Sequence, residues 1–226
     1  MSIADNVQAV RARMEAACDR SFRDPADVRL VAVTKTVDVA GVIEAVEAGI
    51  DCIGENRIQE AAGKFGGLPP VERHLVGHLQ TNKVKRALEL FDVIQSIDSV
   101  RLAREVSIRS ETAGRRMPVF AEVNTSGEES KYGLEPDETF AAIEEMADLG
   151  GIEIVGLMTI GAFLPDPEDV RPCFRRLRAI RDEIEDRVIP GVRMEHLSMG
   201  MTNDFEVAIE EGATIVRVGR AIFGER

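Results

Sequence analysis

The stretch RLVAVTKTVDVAGVIEAVEAGIDCIG (residues 29–54) decides the fold class, because it holds a complete strand–helix–strand unit. The β-branched run at 29–35 and the apolar run at 51–54 predict strands. Between them, Val42, Ile43 and Val46 form one stripe at helical spacing, and Gly49 follows where a helix commonly ends. Strands joined through a helix in this way run parallel, with a right-handed crossover.

The same alternation continues along the chain. Further strands are predicted at 74–77, 92–96, 118–124, 152–158, 193–197 and 214–218, and further helices at 136–149 and 172–188. Eight parallel strands fit either a closed (β/α)₈ barrel or an open doubly wound sheet. The strand count, the length of 226 residues and the lack of a Pro/Ser-rich linker favour the barrel. We therefore predict an α/β fold with one (β/α)₈ TIM barrel domain over residues 1–226.

An additional helix is predicted at the N-terminus from apolar residues at helical spacing: Ile3, Val7, Val10, Met14 and Ala17. This stretch has no unbroken apolar run and carries acids from Asp5 onward, so we do not expect it to be a secretory signal. The last residues, GRAIFGER (219–226), are too few for a full helix. We expect the N-terminal helix to cover the surface left vacant there.

The composition excludes several classes of partner. With 40 acidic and 28 basic residues the formal net charge is −12, and one Tyr with no Trp leaves little for stacking on bases. No nucleic-acid partner is therefore expected, and an anionic ligand needs a local basic pocket. No stretch reaches the roughly 18 apolar residues of a membrane span. The three cysteines form no CxxC pair and the three histidines show no ligand spacing, which predicts a metal-free cytoplasmic protein.

Polar and glycine-rich residues follow the predicted strands, where barrel enzymes place their chemistry. Lys35 closes the first apolar strand. A lysine amine desolvated at such a rim becomes a nucleophile that forms Schiff bases with carbonyl compounds. The alternative is a lysine whose amine extends into water.

The last two predicted strands supply further candidates. Arg217, within the apolar strand TIVRV, either projects into the barrel mouth toward a ligand or pairs with a helix carboxylate outside. The turns at Gly200 and Gly219 lead into helices, which suits phosphate binding but also plain strand–helix turns. His78 and His196 are expected to flank the mouth as hydrogen-bonded residues. On these residues alone, one candidate function is a Schiff-base aldolase acting on a sugar phosphate.

Longer blocks indicate a family. They are VAVTK (31–35), GENRIQE (54–60), HLVGHLQTNK (74–83), VNTSGEESKYG (123–133), GLMTIG (156–161), LSMGMTNDFEVAIEEGATIVRVG (197–219) and IFGER (222–226). Together they resemble the pyridoxal phosphate homeostasis proteins, whose fold is like the N-terminal barrel of alanine racemase. The blocks follow the family's order along the chain.

The resemblance implies a cofactor, pyridoxal 5′-phosphate (PLP), and assigns residues to it. Lys35 matches the lysine that holds PLP as an internal aldimine, Arg217 matches the arginine that faces the pyridine nitrogen, and Asn56 lies in a block that lines the pocket. The implied phosphate cradle consists of Ser198, Thr202 and the backbone N–H groups around Gly219 and Arg220. The family commonly has a small or hydroxylated residue where this chain has Arg220, and serine where it has Thr202.

The resemblance also implies a function, the buffering or delivery of PLP in cytosolic vitamin B6 and amino-acid metabolism. An arginine at the pyridine nitrogen leaves the ring a poorer electron sink, so we predict no catalytic residue. The competing function, a one-domain amino-acid racemase, needs a second base, and Tyr132 lies in a loop with no evident means of positioning.

Partners and secondary sites complete the expectations. The expected partners are PLP and apo forms of PLP-dependent enzymes, with no membrane partner, and the expected oligomeric state is a monomer. Lys83 and Lys131 are candidates for secondary PLP binding, although solvated loop lysines are the simpler interpretation.

Overall fold

The fold is a closed barrel of eight parallel strands that pair in sequence order, which confirms the (β/α)₈ prediction. The computed structural model describes residues 2–224, so the last two residues of the IFGER block lie outside the described part. The strands are β1 (Arg29–Val33), β2 (Cys52–Glu55), β3 (Glu72–Leu75), β4 (Val93–Ile97), β5 (Met117–Glu122), β6 (Ile152–Met158), β7 (His196–Ser198) and β8 (Ile215–Val218).

Helices surround the barrel on the outside. They are α1 (Ile3–Arg20), α2 (Val39–Glu47), α3 (Ile58–Lys64), α4 (Val84–Leu90), α5 (Val100–Thr112), α6 (Thr139–Ala147), α7 (Arg171–Asp186), α8 (Phe205–Glu210) and α9 (Arg220–Phe223). The helix predicted at 136–149 is shorter as an α-helix, because its first turn, Pro136–Glu138, is a 3₁₀ turn. None of the helices in the described part of the chain is long and apolar enough to span a membrane.

The N-terminal helix covers the short C-terminal helix, as expected. Helix α1 packs against α8 and α9, with Val7 and Val10 fully buried on its inner face. The Asn6 side chain donates a hydrogen bond of 2.8 Å to the carbonyl of Ile222 in α9. Helix α1 therefore replaces the packing surface that a full eighth helix would supply.

The barrel has an inner and an outer core because successive strand residues point to opposite faces. The outer core packs strands against helices, and the inner core is an apolar plug: Val31, Cys52, Val93, Phe120, Val155, Met158 and Ile215. Polar side chains also lie inside, since Gln95 of β4 bonds across the barrel to Ser198 of β7. The carboxyl ends of all eight strands share one end of the barrel, which we call the mouth.

Candidate functional site

A cavity of about 300 Å³ opens at the mouth. Six of the seven predicted site residues line it: Lys35, Asn56, Thr202, Arg217, Gly219 and Arg220. They come from positions far apart in sequence and meet because β1, β2, β7 and β8 end at the same rim. A cavity of this size falls at the lower end of the range for small-molecule sites.

A buried ion pair holds the backbone beside Lys35. The Nζ of Lys64 lies 2.5 Å from Oε1 of Glu55 and donates a 2.8 Å hydrogen bond to the carbonyl of Thr34. The hydroxyl of Thr34 donates to the same carboxylate over 2.6 Å. Glu55 is fully buried and Lys64 nearly so, which makes this contact strong and directional. The ion pair links the ends of β1 and β2, and it thereby helps to position Lys35 and Asn56, which follow these strands.

The turn after Lys35 is strained. Strand β1 ends at Val33, two residues earlier than predicted, because the chain turns at Lys35 and Thr36. Thr36 has a φ of +61°, a left-handed conformation that is unfavourable for a β-branched residue. Its N–H donates to Oε2 of Glu60 over 3.2 Å, a contact that helps to hold the turn. Strain of this kind is concentrated at functional sites.

Asn56 carries an unpaired buried atom next to the cavity. Its Oδ1 is buried and has no hydrogen-bond partner among residues 2–224. Gly77 lies directly behind it, where an added Cβ would be 2.7 Å from Cα of Asn56, so no larger residue fits at 77 without a backbone shift. Buried polar atoms are nearly always paired. A buried oxygen without a partner at a cavity wall is typical of a group that forms its hydrogen bond with a bound ligand.

Arg217 projects into the barrel, which excludes the outer-face alternative. It is 4% exposed, and its two terminal nitrogens donate to Oγ of Ser198 over 2.6 Å and to the carbonyl of Thr159 over 2.7 Å. Burial lowers the pKa of Arg217 to about 10, so it stays charged at neutral pH. The cavity therefore contains a fixed buried cation.

The loops after β7 and β8 form another part of the cavity wall, and β8 is the strand that pairs with β1. Gly200 has a φ of +92°, and an added Cβ would lie 2.9 Å from Cα of Phe205. Asp204 accepts the N–H of Met201 over 2.6 Å, which closes the loop that carries Thr202. Gly219 precedes α9 with a negative φ, so its turn does not require a glycine. The first N–H groups of a helix have no partner within the helix and attract anions.

The cavity is locally basic in an acidic chain. Among the described residues that line it, the cations are Lys35, Arg217 and Arg220, and the carboxylate is Asp204. One oxygen of Asp204 is engaged by the backbone. The predicted local basic pocket is therefore present, and it suits an anionic ligand.

Comparisons with known proteins show the family of the chain. Residues 3–226 match the family described as alanine racemase, N-terminal domain. The pyridoxal phosphate homeostasis protein of Aquifex aeolicus (strain VF5) is 42% identical over 228 residues, covering 100% of this chain and 99% of that protein. The chain belongs to the pyridoxal phosphate homeostasis protein family.

Solved structures agree with the family and the fold. An unknown protein from Bifidobacterium adolescentis has a TM-score of 0.94 and 43% identity, over 98% of this chain and 94% of that one. PipY of Synechococcus elongatus PCC7942, solved with PLP bound, has a TM-score of 0.86 and 32% identity, over 99% of this chain and 100% of that one. The barrel is therefore the architecture of this family.

Ser198 is the predicted site residue that does not line the cavity. It is fully buried, and its oxygen accepts from Arg217 while its hydroxyl donates to Oε1 of Gln95 over 2.6 Å. In this member of the homeostasis family, Ser198 therefore lies behind Arg217, with both hydrogen-bonding functions engaged.

Two expectations about aromatic residues at the mouth are wrong. Tyr132 does have a means of positioning, because its ring stacks on His78 with centroids 3.7 Å apart, and Asp98 holds His78 at 3.0 Å. Tyr132 is half-exposed and does not line the cavity. His196 does not flank the mouth, because it begins β7 and so lies toward the amino end of the barrel, near the ring of Phe120.

The other candidate lysines lie outside the cavity lining. Lys131 donates to the carbonyl of Gly161 over 2.8 Å and pairs with Glu128 at 2.7 Å. Lys83 ends the short 3₁₀ turn that precedes α4. Secondary PLP binding at these positions stays a prediction.

Glu122 is a residue at the mouth that sequence reasoning missed. It ends β5 with 5% exposure, and burial, with a smaller contribution from Asp98, raises the pKa of its carboxyl to about 7. The available signal was an acid inside the apolar strand PVFAEVN. Glu122 therefore titrates near neutral pH beside the site.

Folding also brings together three residues whose sequence spacing suggested no metal. One ligand atom each of Cys52, Glu72 and His74 lie within 4.8 Å of one another. Two of the three residues already have partners, since His74 bonds to Glu72 over 2.7 Å and Arg29 donates to Glu72 over 2.7 Å. Burial raises the pKa of the Cys52 thiol, which disfavours the thiolate that a metal requires. Glu72 and His74 of this cluster therefore take part in hydrogen bonds.

Proposed function

We propose that the chain binds PLP in the mouth cavity and holds it on Lys35 as a Schiff base (internal aldimine). Lys35 would supply the amine that holds the group, and PLP would supply the aldehyde carbon to which Nζ is joined, with release of one water. The observation that carries the proposal is the convergence of Lys35, Asn56 and Arg217 on one basic cavity. The PLP-bound structure of the relative PipY supports the same ligand.

Each neighbouring residue has a role that its chemistry supports. Arg217 can only donate hydrogen bonds, so it would face a ring nitrogen that stays unprotonated. The unpaired Asn56 would contact the ring substituents. Thr202 and the backbone around Gly219 would hold the phosphate, to which Arg220 adds a positive charge. PLP supplies the reactive aldehyde, and the protein supplies orientation and charge.

We propose storage and delivery of PLP, rather than catalysis, as the biological role. Relatives of this chain are named homeostasis proteins. An unprotonated pyridine ring stabilises carbanions poorly. Among the described lining residues, Asp204 is the carboxylate, and one of its oxygens already accepts a backbone N–H. The carboxyl of Glu122, with a pKa raised to about 7, lies near Arg217 but does not line the cavity. A reversible Schiff base with no unengaged second base among the described lining residues suits a store of cofactor.

Borohydride reduction followed by intact mass and peptide mapping tests the site. We expect one pyridoxyl adduct on Lys35 in the wild type and none on that peptide in Lys35→Ala. Lys131→Ala and Lys83→Ala are matched lysine controls and should keep the adduct. A wild-type chain without an adduct on Lys35 would contradict the proposal.

Deuterium exchange at Cα of free amino acids tests the absence of catalysis. We expect no exchange above the rate with free PLP across a broad panel of amino acids. Exchange that depends on the loaded protein would favour the one-domain racemase instead.

A further inference from the structure

A chain of hydrogen bonds begins at Arg217 and runs into the barrel. The first link is the bond from Arg217 to Oγ of Ser198, at 2.6 Å. The second joins the Ser198 hydroxyl to Oε1 of Gln95, also at 2.6 Å. Ser198 and Gln95 are both fully buried, so water does not compete for these bonds.

The chain continues to the amino end of the barrel. Nε2 of Gln95 lies 2.5 Å from Nδ1 of His74, and Nε2 of His74 lies 2.7 Å from Oε1 of Glu72. Arg29 donates to the other oxygen of Glu72 over 2.7 Å. Glu72 and Arg29 begin β3 and β1, whereas Arg217 is near the end of β8. The links therefore cross most of the barrel's height.

One assignment of protons satisfies every link. The hydrogen bond from His74, together with Arg29, lowers the pKa of Glu72 to about 2, so Glu72 is a carboxylate that only accepts. His74 must then carry its proton on Nε2, and its Nδ1 must accept from the Gln95 amide. The amide oxygen is left facing Ser198.

Ser198, the last link of the hydrogen-bond chain before Arg217, determines how the guanidinium is held. Because the Ser198 hydroxyl proton is committed to Gln95, an Oγ lone pair faces Arg217. The guanidinium is then held on two sides, by Ser198 and by the carbonyl of Thr159. Its remaining N–H groups are available toward the cavity that Arg217 lines.

We propose that Gln95 and His74 are positioning residues that orient Arg217 through this chain. The inference rests on the proposed function, in which Arg217 faces the pyridine nitrogen of PLP. Neither residue lines the cavity, so both act through Ser198. The hydrogen-bond chain therefore fixes the orientation of the Arg217 guanidinium from inside the barrel, before PLP binds.

Two variants interrupt the chain at different links. Gln95→Leu removes the middle link, and His74→Phe removes the acceptor for Gln95 while keeping an aromatic ring. Val93→Ala is the matched control, because Val93 lies two residues before Gln95 on β4 and belongs to the apolar plug. Urea unfolding of all three variants measures their general loss of stability.

The first readout is ¹⁵N NMR of the guanidinium group in the full chain without PLP, with Arg217→Lys used for assignment. A guanidinium held on two sides rotates slowly and gives separate Nη signals. We expect these signals to shift or merge in Gln95→Leu and His74→Phe and to remain in Val93→Ala. Unchanged Nη signals in both Gln95→Leu and His74→Phe, or an equal change in Val93→Ala, would overturn the proposal.

The second readout is the absorption spectrum and the affinity of bound PLP. We expect a displaced absorption maximum and a roughly two- to tenfold weaker affinity in both chain variants, the range that one hydrogen bond contributes. An unchanged spectrum and affinity in both would overturn the coupling to PLP. If the wild type forms no Lys35 adduct, the proposed function fails, whereas the NMR readout still decides whether the chain positions Arg217.

Discussion

Replacing Glu122 by Gln should stabilise the protein at pH 8 and have little effect at pH 4. The carboxyl of Glu122 is 5% exposed at the end of β5. Burial and the neighbouring Asp98 raise its pKa from 4.5 to about 7, although Arg217 partly opposes the shift. A glutamine keeps the shape of the protonated acid and has no charge to desolvate.

The magnitude follows from the difference between the folded and unfolded pKa values. Below pH 4.5 both states hold the proton, so the acid has no pH-dependent effect. Between pH 4.5 and 7 the unfolded chain releases the proton while the folded chain keeps it, so the free energy of unfolding falls as pH rises. At about 1.4 kcal/mol per pKa unit, the loss reaches about 3 kcal/mol above pH 7. Glu122→Gln should recover most of it.

Urea unfolding at pH 4, 6, 7 and 8 measures this effect directly. We expect the variant and wild type to agree at pH 4 and to diverge through pH 6 and 7. Glu129→Gln, a change at an exposed acid in the loop after β5, serves as the control and should show no such divergence. A stability difference for Glu122→Gln that is constant across pH, or a loss at pH 8, would contradict a raised pKa at Glu122.

Three further predictions concern the mouth, the ion pair beside it and the amino end of the barrel. Gly77→Ala should lower PLP affinity, by about tenfold or more in equilibrium dialysis, because its Cβ would meet the backbone of the loop after β2; Gly63→Ala, with open space around it, should not. Lys64→Met should lower the free energy of unfolding by about 3–5 kcal/mol in urea, because it leaves a buried carboxylate unpaired; a loss below about 1 kcal/mol would contradict this. Glu72 has a pKa of about 2, lowered chiefly by its hydrogen bond with His74, so it stabilises the fold above pH 4.5 and this contribution disappears toward pH 2. In Glu72→Gln the free energy of unfolding should therefore fall less between pH 4.5 and pH 2 than in the wild type. An equal fall in both proteins would exclude this contribution of Glu72.

The fold was predictable because the alternation of short strands and amphipathic helices is strong and local. The weak points were the shortest strands. Strand β7 begins at His196, three residues after the predicted start, although the N–H of Arg193 already donates to the carbonyl of Ile154 in β6. That shift moved His196 from the mouth to the amino end. Such boundaries depend on tertiary pairing, which local propensity does not contain.

The site was predictable only in part, because side-chain direction depends on register. From sequence, Arg217 fitted the inside or the outside of β8 equally well, and the family resemblance favoured the inside. Nothing in sequence could join Gln95 to Ser198, which are far apart in the chain and meet only when the barrel closes. The stacking of Tyr132 on His78 also joins two separate loops. Contacts of this kind form only when the barrel closes, so local sequence patterns do not predict them.

The charge distribution explains how a chain of net charge −12 could hold an anionic cofactor. Charges on the outer surface act through water and salt, where fields fade within about 8 Å at physiological ionic strength. Arg217 acts from inside the barrel, where screening is weak and the guanidinium keeps its charge at neutral pH. The ligand would therefore be attracted by a few fixed groups at close range, and the acidic exterior would oppose it only weakly. A net negative charge disfavours an extended anionic partner such as nucleic acid, but it does not disfavour a small anion in a basic cavity.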